Sequence, residues 1–459
     1  MTISRDFLED VKALLGEDRI VTDPWLLIGY ERDYWPLAVA MEYLGKWDPE
    51  PPKVAVLPTN EEEVVQILEL ARRHGIPVVP YAGGTGVLGG ALPQRDSVVL
   101  DVSPLDDYRW HDKDSMIVYA EAGVPLIDLE EWLNSQGYTL RHFPQSYPTA
   151  LIGGLIATKS IGQYSTGYGG IEDIVLGLHV ATYNYGLVRI PPVPRRSVLW
   201  SLKHLYIGSE GHLGIITRAY LQARKIPECS VPFSLRYNSF KEALHSAMKL
   251  VQQGTPPELL RVYDELESQS MLGESGSLII GVIEGPCNEV DARISVMENV
   301  LGKGLGDSEP ALRWLEERFN VIPKIRDLAE MGLAFDTIEV ALPWSTAYTA
   351  YKETIEKLME QEGIIYASAH ASHFYLSGAA IYYTIVFELG KLASVYNKAW
   401  DIIEETSSKH RGTISHHHGI GVHRLKWLRL EYDDNTLRLL KDLKKLLDPD
   451  GVYRDESIK

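Results

Sequence analysis

The chain has 459 residues, enough to bury a large core and too many for one ordinary domain, so two domains are expected. A formal charge of −18 repels nucleic-acid phosphates and anionic lipid headgroups, and with no long basic run to offset it nucleic acid is not expected as a partner. Cys229 and Cys287 stand far apart without C-x-x-C spacing, the N-terminus is charged, and no stretch approaches the ~20 apolar residues of a membrane span. Neither a disulfide framework nor a zinc knuckle is expected, and a cytoplasmic protein that is soluble, or at most peripheral to a membrane, is.

Taken in chain order, KVAVLP (53–58) reads as a short strand. Thr59 and Glu62 have capping-box spacing, so a helix should follow, with Val64, Val65, Leu68 and Ala71 on one face. Arg72, Arg73 and His74 suit its last turn, and Gly75 stops it. A second strand, IPVVPY, runs into YAGGTGVLGGALP (81–93), where Gly84–Gly89 fits the G-x-G-x-x-G dinucleotide fingerprint and Asp101 stands near the place of its ribose carboxylate. That fingerprint needs a helix opening on the glycines, and the residues between Gly90 and the strand-like SVVLDVS (97–103) are too few for one. The stretch is therefore a glycine loop between strands, either an anion-binding nest of backbone amides or a connection without a ligand. Glycine-rich segments recur at 143–170 and 207–217, and one elongated ligand touched by all three explains them better than chain reversal does. A flavin dinucleotide is long enough. After Arg224–Pro227 strands alternate with longer helical stretches, FKEALHSAMKLVQQG and AYKETIEKLMEQEG, as in a second domain; from about Ser408 the chain reads as loop and helix.

Together VVPYAGGTGVLGG, Ile152-Gly153-Gly154 and Gly208–Ile216 resemble the FAD-binding domain of the vanillyl-alcohol oxidase and p-cresol methylhydroxylase (PCMH) superfamily, and the likeness covers nearly the whole chain. The resemblance implies an α+β, two-domain FAD-binding PCMH-type fold with an α/β cap. It divides the chain into 1–227 for FAD, 228–407 for the cap and 408–459 for a segment completing the active site. It places FAD against Pro80, Tyr81, Ala82, Gly83, Gly84, Thr85, Gly86 and Val87, with the pyrophosphate on this loop. Further contacts are implied at Pro144, Gln145, Ser146, Thr149, Gly153, Gly154, Thr158, Ser160 and Ile161, and at Glu210, Gly211, Leu213, Gly214, Ile215 and Ile216. The first loop has no histidine for a covalent link, which favours noncovalent FAD.

Two branches of that superfamily compete. The D-2-hydroxy-acid dehydrogenases carry an H-x-G-D-G-N-x-H-like metal motif and a later E-H-G-I-G, where this chain has HFYLSGAA (373–380) and SHHHGIG (415–421). The motif's acid is gone, and no metal is expected. The alkylglycerone-phosphate synthases are closer, in the S-H-H-H-G-I-G run, in the strand around Ala380-Ile381-Tyr382-Tyr383, in Ile325-Arg326-Asp327-Leu328 and in Glu339–Trp344. That family exchanges the acyl chain of an acylated dihydroxyacetone phosphate for a fatty alcohol, without net redox change, the substrate being held at flavin N5. The resemblance implies Tyr382 as acid/base, His416, His417 and His418 as proton handlers, Arg326 as a clamp for carboxylate or phosphate, a small or lipid-like substrate and a homodimer.

Read without the family, these residues have plainer uses. Tyr382 and Tyr383 point to opposite faces of a strand, and either suits a core. Arg326 can pair with Glu330 one turn along a surface helix. In extended chain His416 and His418 share a face while His417 points away, so the three do not simply converge on one metal, although two could; hydrogen bonding, a metal site and packing remain open. The competing function is an FAD-linked dehydrogenase of a D-2-hydroxy acid, such as lactate or glycolate, or of another alcohol.

Overall fold

Asn60, one residue later than the spacing suggests, caps the helix Glu61–His74: its side chain accepts from the Glu63 amide at 2.9 Å, and Glu63 accepts from the Thr59 amide at 2.8 Å. Glu63, and not Glu62, thus reaches back over the helix start, and Arg19 also holds its carboxylate, at 2.6 Å. Gly75 closes the helix in the left-handed conformation, as expected. The computed structural model describes residues 3–49, 52–94, 96–320 and 327–453.

The helix packs Val64, Ile67, Leu68 and Ala71 on a four-stranded sheet. Its strands β1 (Ile20–Val21), β2 (Ala55–Val56), β3 (Val78–Tyr81) and β4 (Val98–Asp101) lie in the order β1-β2-β4-β3. Strands β3 and β4 pair in parallel, so the glycine loop is itself the crossover, with no helix among its described residues. Asp101 accepts from the Tyr30 hydroxyl at 2.6 Å and the Ser103 amide at 2.8 Å, a structural use that empties the dinucleotide fingerprint of its acid. The edge strand β3 receives residues 452–453, whose Val452 carbonyl accepts from the Val78 amide at 2.7 Å.

Next come β5 (Tyr108–Asp112), β6 (Ile117–Glu121), β7 (Tyr138–Thr139), β8 (Val175–Thr182), β9 (Gly186–Ile190), β10 (Ile215–Gln222) and β11 (Arg224–Lys225). They make an antiparallel sheet ordered β5-β6-β10-β8-β9 and a small β7–β11 pair. The helix Ile152–Ala157 buries Ile152, Leu155 and Ile156 against this sheet's Ile216 and Ala219.

The third sheet is antiparallel: β12 (Cys229–Tyr237), β13 (Leu259–Tyr263), β14 (Ser277–Gly285), β15 (Leu333–Pro343), β16 (Ile364–Tyr375) and β17 (Gly378–Glu388), ordered β12-β14-β13-β16-β17-β15. Helices Phe240–Gln252, Cys287–Leu301, Trp344–Glu360 and Leu392–Lys409 share one core with Ile279, Ile338, Ile381 and Tyr383, which covers one face. Tyr382 belongs to the other face. Contrary to the expectation from spacing, Cys229 and Cys287 form a disulfide, with Cα atoms 5.1 Å apart. Separation along the chain is no guide here, because the pairing of Cys229 with Gly285 in β12–β14 brings the start of the next helix alongside. Closing that loop removes about 4 kcal/mol of unfolded-state freedom. No helix among the described residues is long and apolar enough to cross a membrane.

Candidate active site

Three glycine-rich segments meet where the first two sheets adjoin. A Cβ on Gly83 would stand 2.6 Å from the Thr149 carbonyl, one on Gly153 2.7 Å from the Ala122 Cβ, and one on Gly211 2.5 Å from Pro80. Gly84 has φ +59°, which a side chain disfavours, and a Cβ there would meet the Tyr81 hydroxyl. Gly154 faces Ala82, and the Glu210 amide donates to the Ala157 carbonyl at 2.8 Å, so residues 80–84, 149–158 and 208–214 are one surface. Thr158 and Ser160 follow on it, and Leu213, Gly214, Ile215 and Ile216 lead into β10. Beside it the buried His142 has both ring nitrogens, and Gln163 both amide atoms, without hydrogen-bond partners. Burial pushes His142 down to about 4, so its ring is neutral. A glycine cradle beside unspent polar atoms fits a long polar cofactor such as FAD. Among the expected contact residues, Gln145 is turned instead toward the Arg318 carbonyl, to which its amide donates.

The cap sheet supplies the other wall. Glu339 of β15, Tyr382 of β17 and His370 of β16 are register partners and form a row across one face. His370 stacks on the Tyr382 ring with centroids 4.7 Å apart. At His373 the β16–β17 register shifts and φ is +54°, a bulge that turns this imidazole onto Tyr382. His373 Nε2 lies 2.8 Å and His417 Nε2 3.3 Å from the Tyr382 hydroxyl. Burial drives His373 and His417 well below the usual histidine range, with neighbouring histidines adding to the shift, and raises Tyr382 well above the usual phenol range. The group is neutral throughout.

The histidine run is bent, not extended, which corrects the facing inferred from alternation. Glu339 turns it by accepting the His416 amide at 2.5 Å and the His418 amide at 3.0 Å. His417 and His418, rather than His416 and His418, consequently lie over that carboxylate. The ligand atoms of Glu339, His417 and His418 fall within 4.8 Å of one another, a cation-like spacing. Yet Glu339 is already held by the fully buried Arg424, at 2.8 Å, and both its oxygens accept amides. Although burial opposes it, the Arg424 charge holds Glu339 well below the usual carboxylate range. Glu404, on the other side of Arg424 at 2.9 Å, is pushed up by burial to about 7. A cation would have to enter beside a guanidinium, and this donor set does not fit one.

Glu210, expected among the cofactor contacts, spends its carboxylate on the amides of Ile420 and Gly421, at 2.7 and 2.9 Å. Arg326 lies outside the described residues. The sequence motifs do not mark His373, Glu339, Arg424 or Ser165 as site residues, although Ser165 Oγ lies 2.7 Å from His373 Nδ1. Glu339 lay within a matched motif, whereas Arg424 and Ser165 carry no local signal and act through contacts distant in sequence.

Residues 52–190 match the model of an FAD binding domain, and residues 226–453 that of the C-terminal domain of FAD linked oxidases. An FAD-linked oxidoreductase of Escherichia coli K12, YgcU, is 30% identical over 100% of this chain and 99% of its own. The alkyldihydroxyacetonephosphate synthase of Dictyostelium discoideum is 28% identical over 89% of this chain and 73% of its own. A solved structure of an alkyldihydroxyacetonephosphate synthase superposes with a TM-score of 0.84 at 22% identity, covering 98% of this chain and 85% of that one, which shows the fold. With the glycine cradle and the two-domain PCMH-type fold in place, the chain belongs to the FAD-linked oxidoreductases and takes FAD as its cofactor.

Proposed function

We propose that the protein exchanges an ester-linked acyl chain for a fatty alcohol, as in the reaction implied for the alkylglycerone-phosphate synthases, with Tyr382 as the acid/base. The observation that carries this reading is the Tyr382 hydroxyl set between two neutral imidazoles, in a site whose Glu339 carboxylate is already spent on Arg424. Noncovalently bound FAD supplies an electron-poor ring; the chain's own residues orient the substrate and move protons. Tyr382 takes the proton of the incoming alcohol, His417 receives it in turn, and the displaced acyl chain leaves as a carboxylate. No net electrons are transferred. Arg326 is the clamp for that carboxylate, and the 80–87 loop holds the pyrophosphate. The proposed division is 1–227, 228–407 and 408–459, in a homodimer with a lipid-like substrate.

The test is to incubate flavin-loaded protein with an acylated dihydroxyacetone phosphate and hexadecanol and look for the ether product. Tyr382→Phe should retain flavin and lose roughly 10²–10⁴-fold in turnover, and Tyr383→Phe, in the core on the opposite face, should be nearly silent. Equal losses would refute the assignment of the strand face. A second reading, oxidation of a D-2-hydroxy acid or another alcohol, is favoured by the neutral His417 ring nitrogen, which can accept a hydroxyl proton; bound FAD would supply the two-electron acceptor. Anaerobic bleaching of the flavin band by D-lactate or glycolate would put this reading first.

A further inference from the structure

We propose that Ser165, His373, Tyr382, His417, His416 and Tyr375 form one proton-conducting chain that connects the buried Tyr382 hydroxyl to solvent at Tyr375. The inference rests on the reading of Tyr382 as the proton-handling residue and names the route by which its proton reaches water.

Every link is a hydrogen bond between side chains. Ser165 Oγ is 2.7 Å from His373 Nδ1, and His373 Nε2 is 2.8 Å from the Tyr382 hydroxyl. That hydroxyl is 3.3 Å from His417 Nε2, His417 Nδ1 is 3.0 Å from His416 Nδ1, and His416 Nε2 is 2.7 Å from the Tyr375 hydroxyl. Tyr382 and His373 are buried, whereas Tyr375 is 41% exposed and Ser165 is half-buried, so Tyr375 is the wetter end of the chain. Each histidine uses both ring nitrogens, one toward each neighbour. That is the arrangement in which a proton enters at one nitrogen and another leaves from the opposite one.

Neutral rings leave one proton per link and two consistent settings. In one, Ser165 donates to His373 Nδ1, His373 Nε2 donates to Tyr382, Tyr382 donates to His417 Nε2, His417 Nδ1 donates to His416 Nδ1, and His416 Nε2 donates to Tyr375. In the other every donor becomes an acceptor. A hop along the whole chain converts one setting into the other when water supplies a proton to the Ser165 hydroxyl and takes one from the Tyr375 hydroxyl, so that one O–H or N–H bond breaks and one forms at each site and no charge is left in the interior. Burial keeps His416, His417 and His373 below the usual histidine range, which favours the uncharged form that both settings require. His418 takes no part, since it faces Glu339.

The experiment is nitrogen-15 NMR of histidine-labelled holoenzyme without substrate, with rings assigned through single-histidine variants. Both settings demand that His416 and His417 be opposite tautomers and that His373 share the tautomer of His416. Tyr375→Phe, at an exposed position, should slow exchange of the His417 ring proton with water by on the order of tenfold or more. Like tautomers on His416 and His417, a charged ring at neutral pH, or unchanged exchange in Tyr375→Phe would overturn the chain. Because no substrate enters, a missing ether product counts against the proposed function and leaves the tautomer result standing.

Discussion

Two turns face each other across the site, and they are built in opposite ways. The glycine turn at 81–90 takes its shape from missing side chains: Gly84 adopts positive φ, and Gly83 presses on the Thr149 carbonyl. The histidine turn at 415–421 is held by carboxylates brought from elsewhere, Glu339 on two amides and Glu210 on two more. They are bolted together, the Leu88 carbonyl accepting from the Val422 amide at 3.0 Å and leaving no room for a Cβ on Gly421. The cofactor-side turn thus depends on absent atoms and the chemistry-side turn on buried charge, so they should fail differently.

The largest separation is expected from Gly84→Asp. It adds a side chain at positive φ and a negative charge beside the proposed pyrophosphate position, and should abolish flavin retention while leaving the cap folded. Flavin absorbance per protein after desalting reads this, and near wild-type retention would remove the loop from the cofactor site. Next in size is Glu339→Gln, which removes one of the two buried counter-charges of Arg424 and should lower unfolding free energy by about 3–5 kcal/mol. Glu210→Gln, which loses charge-assisted amide bonds on a less buried group, should lower it by about 1–3 kcal/mol. Denaturant titration of both variants ranks the two anchors, and the reverse order would place the turn's support on the Glu210 side.

The smallest effect is in pH. His418 is pushed down to about 4 by burial, so between its unfolded value near 6.5 and that folded value the unfolded chain binds more protons. Stability from this group is present above about 6.5 and is lost as pH falls toward 4. Glu404, raised to about 7, slopes the other way over part of that window, so the measurement is a difference. His418→Gln should flatten the fall in Tm between pH 7 and pH 5 relative to wild type. An unchanged slope would mean that His418 takes up its proton over the same pH range folded as unfolded.

What the sequence disclosed follows the same division between near and far causes. Gly75, the helix before it, the glycine loop without a helix and the opposite faces of Tyr382 and Tyr383 all have causes within a few residues, and all are found in the structure. The helix cap stands one residue later than the spacing suggests, and Arg19, 44 positions from Glu63, holds the carboxylate that reaches back over it. The disulfide, the bent histidine run and the buried Arg424 depend on strand register and on partners 58 to 85 positions away, which no local pattern encodes. His373 is intermediate, since its motif was visible but the bulge that aims it was not.

The stitching of residues 452–453 onto β3 bears on how the molecule is made. Strand β3 is the open edge of the first sheet, and its cover, with the fully buried Tyr453, comes from almost four hundred positions later. During synthesis the first half of the chain leaves the ribosome with that edge bare and must wait for the rest of translation before it is sealed. An unpaired strand edge is where nascent chains adhere to one another. Ribosomes stalled anywhere before residue 453 should therefore carry a first domain that holding chaperones recognise, however well its own core has packed.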